Sequence, residues 1–348
     1  MKLTVRQVAR VAGVSAATVS RVLNDSPLVA PETRKKVLDA IKASGLTAAR
    51  MKQMRGSRGL APIEALSGPK PFGCVIANPS QSLASDHFFV DVVGGAMRYF
   101  TSIGKQLILE ATDGLYHGEE SLPAMVRDGK VQGLIAGGIP MDDAYVMALL
   151  ECPVPVVFIG RYLEQQRAIT AVVPDNVAGG ELAGEHLAAC GYREFFYLGG
   201  SLRTNTFRDR LAGFRAALER RGISLDDDHV LETSMDQDGG YTAMKEVLRR
   251  ARGTEGIAVF AATDWMAGGV TRFANEHGLH VPQHLGIVGY SDLELASHFF
   301  PSVTSIRVDR RALGYLAART LTDMITGVIE CPVQIYLQPS LVKRRSTL

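Results

Sequence analysis

The chain has 348 residues, of which 46% are hydrophobic and 21% are charged. These proportions are ordinary for a globular protein that buries a core, and the length suggests two or three folding units. No apolar run reaches the roughly 18 residues that a membrane-spanning helix needs. The N-terminus lacks the apolar stretch of a secretory signal, so we expect a cytoplasmic protein.

Charge is spread unevenly along the chain. Residues 1–58 contain 12 basic and three acidic residues, a net charge of +9, whereas the remainder has 26 basic and 33 acidic residues, a net charge of −7. A basic segment on an acidic body indicates a polyanionic partner at the N-terminal end. Charge alone leaves open a solvated basic face without a partner.

No pattern of metal ligands or redox cysteines stands out. The four cysteines, at positions 74, 152, 190 and 331, form no C-x-x-C pair, so free thiols are expected. The histidines at positions 277, 280 and 284 are loosely clustered, but they lie in a Gly- and Pro-containing stretch before a predicted strand. We therefore predict neither a metal site nor a cofactor.

The first 45 residues are predicted to form three short helices. Thr4 and Ser15 are good N-caps for the first two, Gly13 ends the first, and the third runs from Pro31 to Gly45. The apolar residues predicted to face inward are Val5, Val8, Ala9, Ala12, Val19, Val22, Leu23, Val37, Leu38 and Ile41. Two short helices around a glycine-containing turn, in a basic segment, indicate a helix-turn-helix that reads DNA.

The second helix, about residues 16–24, would enter the major groove. Arg21 is the best base reader, because its guanidinium can donate two hydrogen bonds to guanine O6 and N7. Ala16 and Ala17 offer only apolar contact, for example to a thymine methyl group. The hydroxyls of Thr18 and Ser20, and the backbone amides near Thr4 and Ser15, are better suited to phosphates.

The pattern changes after a Gly- and Pro-rich stretch, residues 56–71, which is predicted to be a linker. Apolar runs then alternate with amphipathic stretches. The predicted strands are 72–77, 106–111, 131–136, 154–159, 194–198, 256–261 and 285–289, and the predicted helices are 88–103, 119–129, 142–150, 177–190, 207–222, 240–252, 264–278 and 310–327. This alternation predicts α/β architecture with parallel sheets, and the length favours two lobes over one sheet.

The N-terminal motif identifies a family. The run from Val5 to Asn24, continued by Pro31-Glu32-Thr33-Arg34 and Val37, closely resembles the head of the lac repressor and purine repressor family. Further matches extend to the C-terminus at Pro174-Asp175-Asn176, Arg210-Leu211-Ala212-Gly213-Phe214, residues 262–268, Val281-Pro282 and residues 287–292. The resemblance implies a DNA-binding transcription regulator, a repressor, whose operator affinity is controlled by a small molecule.

The resemblance also implies the domain boundaries. A head with its hinge segment would cover residues 1–58 and a linker 59–71, followed by a core, 72–348, that looks like a periplasmic sugar-binding protein. Two lobes joined by three crossovers would hold the ligand between them, at the carboxyl ends of their strands. Lobe 1 would comprise about 72–174 and 305–332, and lobe 2 about 175–304 and 333–348.

The hinge segment departs from the family pattern. Relatives wedge a leucine into the minor groove at the operator centre, which bends the duplex. Here Leu46 replaces a common tyrosine. Strict spacing puts Arg55 at the position of the wedge leucine, and a one-residue slip puts Met54 there. We predict that Met54 is the residue inserted into the minor groove. The predicted DNA-binding residues are therefore Thr4, Ser15, Ala16, Ala17, Thr18, Ser20, Arg21, Asn24, Met54 and Arg55.

A polyol pocket needs a bidentate clamp for vicinal hydroxyls and an aromatic face for the ring. By resemblance, Arg210 and Asp264 form the clamp, and Phe88 and Phe89 stack on the ring, with core packing as the alternative for both rings. Arg161 is a second arginine, which favours a sugar acid over a neutral sugar. The predicted effector-binding residues are Phe88, Phe89, Arg161, Thr204, Asn205, Thr206, Arg210, Met235 and Asp264.

The family mechanism implies a homodimer on a palindromic operator. Ligand would close the lobes and change the spacing of the two heads relative to the half-sites. No heptad tail follows the expected last strand, so a dimer is favoured over a tetramer. Whether the effector releases or recruits DNA stays open.

Two other classes compete with a regulator. An enzyme is not favoured, because the phosphate-loop, dinucleotide, nucleophile-elbow and H-E-x-x-H motifs are absent from the sequence. A solute-binding protein would share the core, but it would need a signal peptide and would not carry a basic helix-turn-helix.

Overall fold

The computed structural model describes residues 8–9, 11–14, 18–19, 22, 29–42, 70–78, 87–160 and 169–348. Of the predicted DNA-binding residues, only Thr18 is among them, and it is half-buried in a helical turn. The other nine stay predictions that lie outside the described residues: Thr4, Ser15, Ala16, Ala17, Ser20, Arg21, Asn24, Met54 and Arg55. Among the described residues, no helix is both long and apolar enough to cross a membrane.

The described part of the N-terminal segment has its own small core. Helix α1 spans Pro31–Lys42, and the core consists of Val8, Ala9, Val19, Val22, Val37 and Ile41, all predicted to face inward. Gly13 has a φ of 64°, the left-handed conformation that ends a helix. Leu38 was also predicted to face inward, but it is 40% exposed, because it lies one residue, about 100° of helix, beyond Val37.

The core alternates strands and helices as predicted. Its strands are β1 Phe72–Ala77, β2 Leu107–Thr112, β3 Leu134–Gly138, β4 Val156–Ile159, β5 Ala171–Pro174, β6 Glu194–Gly199, β7 Val230–Glu232, β8 Ile257–Ala261, β9 Leu285–Ser291, β10 Thr304–Arg307, β11 Gln334–Leu337 and β12 Ser340–Val342. Its helices are α2 His87–Ser102, α3 Ala124–Arg127, α4 Asp143–Glu151, α5 Asn176–Ala189, α6 Asn205–Glu219, α7 Gln237–Arg250, α8 Asp264–Glu276, α9 Leu295–His298 and α10 Arg310–Ile325, with short 3-10 turns at Glu119–Ser121 and Asp227–His229.

The strands form two six-stranded sheets. The first has the order β11-β5-β4-β3-β1-β2 and is parallel throughout, and the second has the order β12-β10-β9-β8-β6-β7, in which only the β10–β12 pair is antiparallel. Strands β1, β4, β8 and β9 are buried along their whole length. Continuous burial is expected where helices cover both faces of a parallel sheet, and it explains why these strands are unbroken apolar runs.

The chain passes between the two sheets three times, after β5, after β10 and after β11. Sheet membership differs from the predicted lobe boundaries at two strands. β10 (304–307) belongs to the second sheet rather than starting a lobe 1 segment, and β11 (334–337) belongs to the first sheet rather than to lobe 2. Both corrections have the same cause. The sheet that a strand of four residues joins is decided by the strands it pairs with in the folded protein, and not by its local sequence pattern.

Candidate functional site

The carboxyl ends of both sheets face one cavity of about 190 Å³. A single buried water needs only roughly 10–15 Å³, so this space suits a small organic molecule. The cavity is lined by Ala77, Asn78, Phe88, Phe89, Ile139, Ile159, Gly160, Pro174, Asn176, Thr206, Phe207, Arg210, Met235, Thr263, Trp265, Tyr290, Ser291 and Leu293. The lining is mostly apolar, with a few polar groups, as in sites that bind small molecules.

Arg210, on α6, is the polar centre of the cavity and is only 6% exposed. Its Nε donates a hydrogen bond to Asn176 Oδ1 at 2.9 Å, and its Nη1 donates one to the carbonyl oxygen of Ala262 at 2.5 Å. The guanidinium carbon lies 3.5 Å from the centroid of the Tyr290 ring. These contacts fix the orientation of the planar guanidinium, which can therefore present its remaining donors in a set direction.

Aromatic rings from both lobes wall the cavity. Phe88 and Phe89, in the first turn of α2, pack edge to face with their centroids 5.1 Å apart. Trp265, the single tryptophan of the chain, comes from α8, and its ring centroid lies 6.2 Å from that of His87 at the start of α2. Flat apolar faces of this kind suit a ring-shaped ligand whose polar groups reach Arg210.

Two family models match the chain: "Bacterial regulatory proteins, lacI family" over residues 4–47 and "Periplasmic binding protein-like domain" over residues 184–347. The HTH-type transcriptional regulator CelR of Thermobifida fusca is 32% identical over 345 residues, 99% of this chain and 98% of CelR. The chain belongs to the lacI family of bacterial regulatory proteins. The HTH-type transcriptional repressor PurR of Erwinia tasmaniensis is 31% identical over 347 residues, 99% of this chain and 96% of PurR.

Solved structures of the family share the fold of this lacI-family regulator. A CelR–cellobiose complex has a TM-score of 0.74 at 30% identity and covers 99% of this chain and 100% of that one. The lac repressor dimer bound to operator and the anti-inducer ONPF has a TM-score of 0.67 at 28% identity, with 100% of both chains covered. The predicted fold class and the predicted function, a DNA-binding transcription regulator, are therefore confirmed. These named relatives are regulators and not enzymes.

The structure brings together five of the predicted effector-binding residues: Phe88, Phe89, Thr206, Arg210 and Met235. Thr204 and Asn205 do not line the cavity. Thr204 is the N-cap residue of α6, and Asn205 is buried and accepts a hydrogen bond from Arg208. Arg161 lies outside the described residues and stays a prediction.

Several polar lining residues were not predicted. Asn78 directly follows β1, Asn176 comes two residues after β5, Thr263 comes two residues after β8, and Tyr290 and Ser291 end β9. Their common feature is a position at the carboxyl end of a strand, which is where ligands bind in such sheets. That signal was present in the sequence for β1, β8 and β9, whereas β5 was not predicted as a strand.

Asp264 was predicted to form the clamp with Arg210, and the structure corrects this. The carboxyl group is fully buried and does not line the cavity. Its Oδ1 accepts a hydrogen bond from the Ser305 hydroxyl at 2.6 Å, and its Oδ2 accepts one from the Leu293 backbone N–H at 2.7 Å. Asp264 therefore supports the cavity wall at Leu293 from behind. Burial raises the pKa of Asp264 to about 7, although both hydrogen bonds oppose that shift.

The raised pKa predicts a pH-dependent stability. The folded state holds the Asp264 proton more tightly than the unfolded chain, so its stabilising contribution is largest below the unfolded pKa of 3.8 and is lost as pH rises through about 7. In Asp264→Asn the amide stays neutral at every pH. We expect the unfolding free energy of the wild type, relative to Asp264→Asn, to fall by on the order of 2 kcal/mol between about pH 5 and about pH 8 in urea titrations.

Asp226→Asn is the matched control. Asp226 is exposed and its side chain makes no cap hydrogen bond, so Asp226→Asn shows the effect of the same substitution at a site where no carboxyl group is buried. Parallel profiles for the wild type and Asp264→Asn would contradict the assignment of a buried proton to Asp264.

Arg310, the first residue of α10, joins the two lobes beside the cavity. Its Nε and Nη2 donate to Asp91 Oδ2 on α2 at 3.0 and 2.9 Å. Its Nη1 donates to the backbone carbonyl oxygen of Ser291 and, at 3.4 Å, to that of Asp292. Burial alone would raise the pKa of Asp91, but hydrogen bonds from Arg310 and Arg311 outweigh it and hold that pKa below its usual value. The bridge therefore contains an ionised carboxylate.

The segment that Arg310 holds is unusual. Ser291 and Asp292 have φ values of 105° and 50°, a region that non-glycine residues seldom occupy. Such a backbone persists only where its surroundings fix it. Since Ser291 lines the cavity, Arg310 positions part of the cavity wall of lobe 2 from a helix of lobe 1.

Arg310→Met is expected to loosen this wall. We predict a loss of about 1–3 kcal/mol in unfolding free energy, because two backbone carbonyls and the carboxylate lose a charged donor. We also predict stronger acrylamide quenching of the Trp265 fluorescence in the native state. Arg311→Met is the control: Arg311 binds the same carboxylate, at 3.1 Å, but it is exposed and, within the described part of the chain, makes no hydrogen bond to β9. Equal effects of the two variants would contradict the role of Arg310 in linking Asp91 of lobe 1 to Ser291 of lobe 2.

Proposed function

We propose that the effector of this regulator is a sugar or a sugar acid, bound in the cavity between the lobes. The observation that carries the proposal is the oriented Arg210 guanidinium in a cavity walled by aromatic rings. Sugars present hydroxyls that a guanidinium can bind, and ring faces that pack on aromatic side chains. The ligands named for two relatives support this class: cellobiose for CelR, and ribose for a regulator of Enterococcus faecium that is 25% identical with a TM-score of 0.68.

The position of the cavity between the lobes suggests how effector binding changes the affinity for DNA. Phe88 and Phe89 belong to lobe 1, whereas Arg210, Trp265 and Ser291 belong to lobe 2. A ligand that touches both walls favours the closed arrangement by its extra contacts there. In a dimer, closure would change the spacing of the two heads and hence the affinity for a palindromic operator.

We propose a homodimer that pairs through lobe 1. Val90 and Met97, seven residues apart on one face of α2, are 47% and 52% exposed, and Leu109 is exposed on the edge strand β2. An apolar stripe beside a sheet edge is typical of a surface that pairs with a second copy. The lac repressor structure similar to this chain is a dimer, which supports the same assembly. Met97→Glu should shift the protein to monomers in analytical ultracentrifugation.

A melting-temperature screen tests the effector class. A ligand that binds only the folded core must raise the melting temperature. We expect sugars or sugar acids to do so, and we expect Arg210→Met to abolish the rise. Nucleobases form the comparison group, because they are planar aromatic rings that could pack on the same side chains but lack vicinal hydroxyls. A rise with nucleobases alone would contradict the sugar assignment.

A further inference from the structure

Six of the helices pack in three pairs: α2 with α10, α5 with α6, and α7 with α8. In each pair, a glycine on one helix lies so close to the other that a Cβ atom there would be 2.0 Å or less from a backbone carbonyl oxygen. The approach is reciprocal in every pair, and the carbonyl always belongs to the residue three positions before the partner glycine. We call these approaches glycine contacts; they join Gly95 to Gly314, Gly180 to Gly213, and Gly240 to Gly269.

These glycines weaken the helices that contain them. All six lie within helices, where glycine is less favourable than alanine. Alanine at any of these positions would overlap the backbone of the neighbouring helix, which cannot turn aside as a flexible side chain can. The same loss of helix propensity in favour of close approach occurs in three pairs, so the distance between the paired backbones is under a common constraint.

Each glycine contact is accompanied by a polar contact nearer the start of the same two helices. In the α7–α8 pair, the hydroxyl of Thr263, the N-cap of α8, donates to the Met235 carbonyl oxygen at 3.2 Å, in the segment that leads into α7. Both residues line the cavity. The three polar contacts are Arg310 to Asp91, Arg210 to Asn176, and Thr263 to Met235. The glycine contacts therefore lie behind these polar contacts, further along each helix.

The spacing of the helices at the glycines determines the positions of the cavity-lining residues. Gly269 follows Trp265 by about one helical turn, roughly 5.4 Å of rise, so the two residues move together. A Cβ at Gly269 would force α7 and α8 apart, because its neighbour is the backbone carbonyl oxygen of Gln237. A separation of about 1 Å exceeds the roughly 0.5 Å within which a binding site must hold its groups. It would also break the hydrogen bond from Thr263 to Met235.

We propose that the paired glycines are positioning residues of the effector cavity. They set the spacing between helix backbones at which the polar contacts form, and they thereby fix the lining residues of each pair relative to one another. None of these six described glycines lines the cavity, so they act through the lining residues and not on the effector itself. The inference rests on the proposed function only in placing the effector in this cavity, and it holds for any class of effector.

Gly269→Ala tests the α7–α8 contact, because Trp265, the single tryptophan of the chain, lies about one turn away on α8. We expect the native-state emission of Trp265 to shift and its quenching by acrylamide to increase. Hydrogen exchange, measured by mass spectrometry on the full-length protein, should accelerate more in residues 235–243 and 263–271 than in the rest of lobe 2. Gly240→Ala should cause the same changes from the opposite helix, and it decides the matter if Gly269→Ala does not fold.

Gly286→Ala is the matched control in the same lobe. Gly286 lies at the amino end of β9, away from the cavity, and a Cβ there would be 2.3 Å from the ring of Tyr192. This variant should lower the urea midpoint, yet leave the native emission of Trp265 and the exchange of both segments unchanged. A merely structural role would give the same result for Gly269→Ala and Gly240→Ala, namely a loss of stability with an unaltered native state. That result would overturn the inference.

Ligand binding gives the functional measurement, with glucose, galactose, ribose and cellobiose as probes. A probe that raises the melting temperature of the wild type should bind Gly269→Ala about tenfold or more weakly, and Gly286→Ala as tightly as the wild type. Unchanged binding by Gly269→Ala would overturn the inference and leave the sugar assignment standing. If no probe binds the wild type, the sugar assignment fails, whereas the Trp265 emission and the hydrogen exchange still decide whether the glycines position the cavity.

Discussion

Alanine at Gly95 should destabilise the first lobe severely. A Cβ atom at Gly95 would lie 2.0 Å from the backbone carbonyl oxygen of Arg311, and the reciprocal contact is as tight, since a Cβ at Gly314 would lie 1.7 Å from the carbonyl oxygen of Val92. Helices α2 and α10 therefore approach each other backbone to backbone, and no side-chain adjustment can relieve the overlap. We expect a loss of about 3 kcal/mol or more in unfolding free energy.

The preceding residue offers a matched control on the same helix. Within one chain, a Cβ at Gly94 would meet nothing within 4 Å and Gly94 is exposed, on the face of α2 that also carries Val90 and Met97. Because alanine is the better helix former, Gly94→Ala should be neutral or should stabilise by about 0.5–1 kcal/mol. Urea unfolding followed by circular dichroism measures both variants, and sedimentation verifies that they share one oligomeric state. Similar stabilities of the two would refute the close approach of α2 and α10.

Alanine at Arg21 is expected to remove sequence-specific operator binding. Each bidentate arginine–guanine pair is worth roughly 1–3 kcal/mol, and a dimer on a palindrome uses two of them. We therefore expect the affinity of Arg21→Ala to be about 100-fold or more below that of the wild type, measured on an operator that the wild type selects from random duplexes. Non-specific DNA binding should remain. The predicted base preference under Arg21 should also disappear, which competition with operators substituted at each position would reveal.

Lys42→Ala is the control for this variant. Lys42 lies in the last turn of α1, outside the predicted recognition helix, and its removal deletes the same unit of charge. It should weaken binding to all sequences alike and reduce the salt dependence without changing base preference. If both variants lower specific and non-specific binding in parallel, Arg21 contacts phosphate and not a base.

Local patterns in the sequence determined much of this protein. The head motif from Val5 to Asn24 was sufficient to assign the family, and the apolar residues Val8, Val19 and Val37 were assigned to a core. Seven strands and the long helices were predicted within a few residues of their observed bounds. These features are readable because hydrophobic periodicity and helix signals act over a few residues. Arg210 was placed at a ligand site by resemblance, and the structure has it lining the cavity.

Only the tertiary structure decided how distant residues meet. Thr263 and Trp265 line the cavity, whereas Asp264 between them is turned into the core, a difference set by about 100° of rotation per residue at a helix start. The strands β11 and β12 each belong to a different sheet, although three residues or fewer separate them. A short strand carries too little sequence pattern to show which sheet it joins, so its sheet is decided by packing against segments far apart in the chain. The same is true of the contacts by which Arg310, in lobe 1, holds the cavity wall at Ser291 in lobe 2.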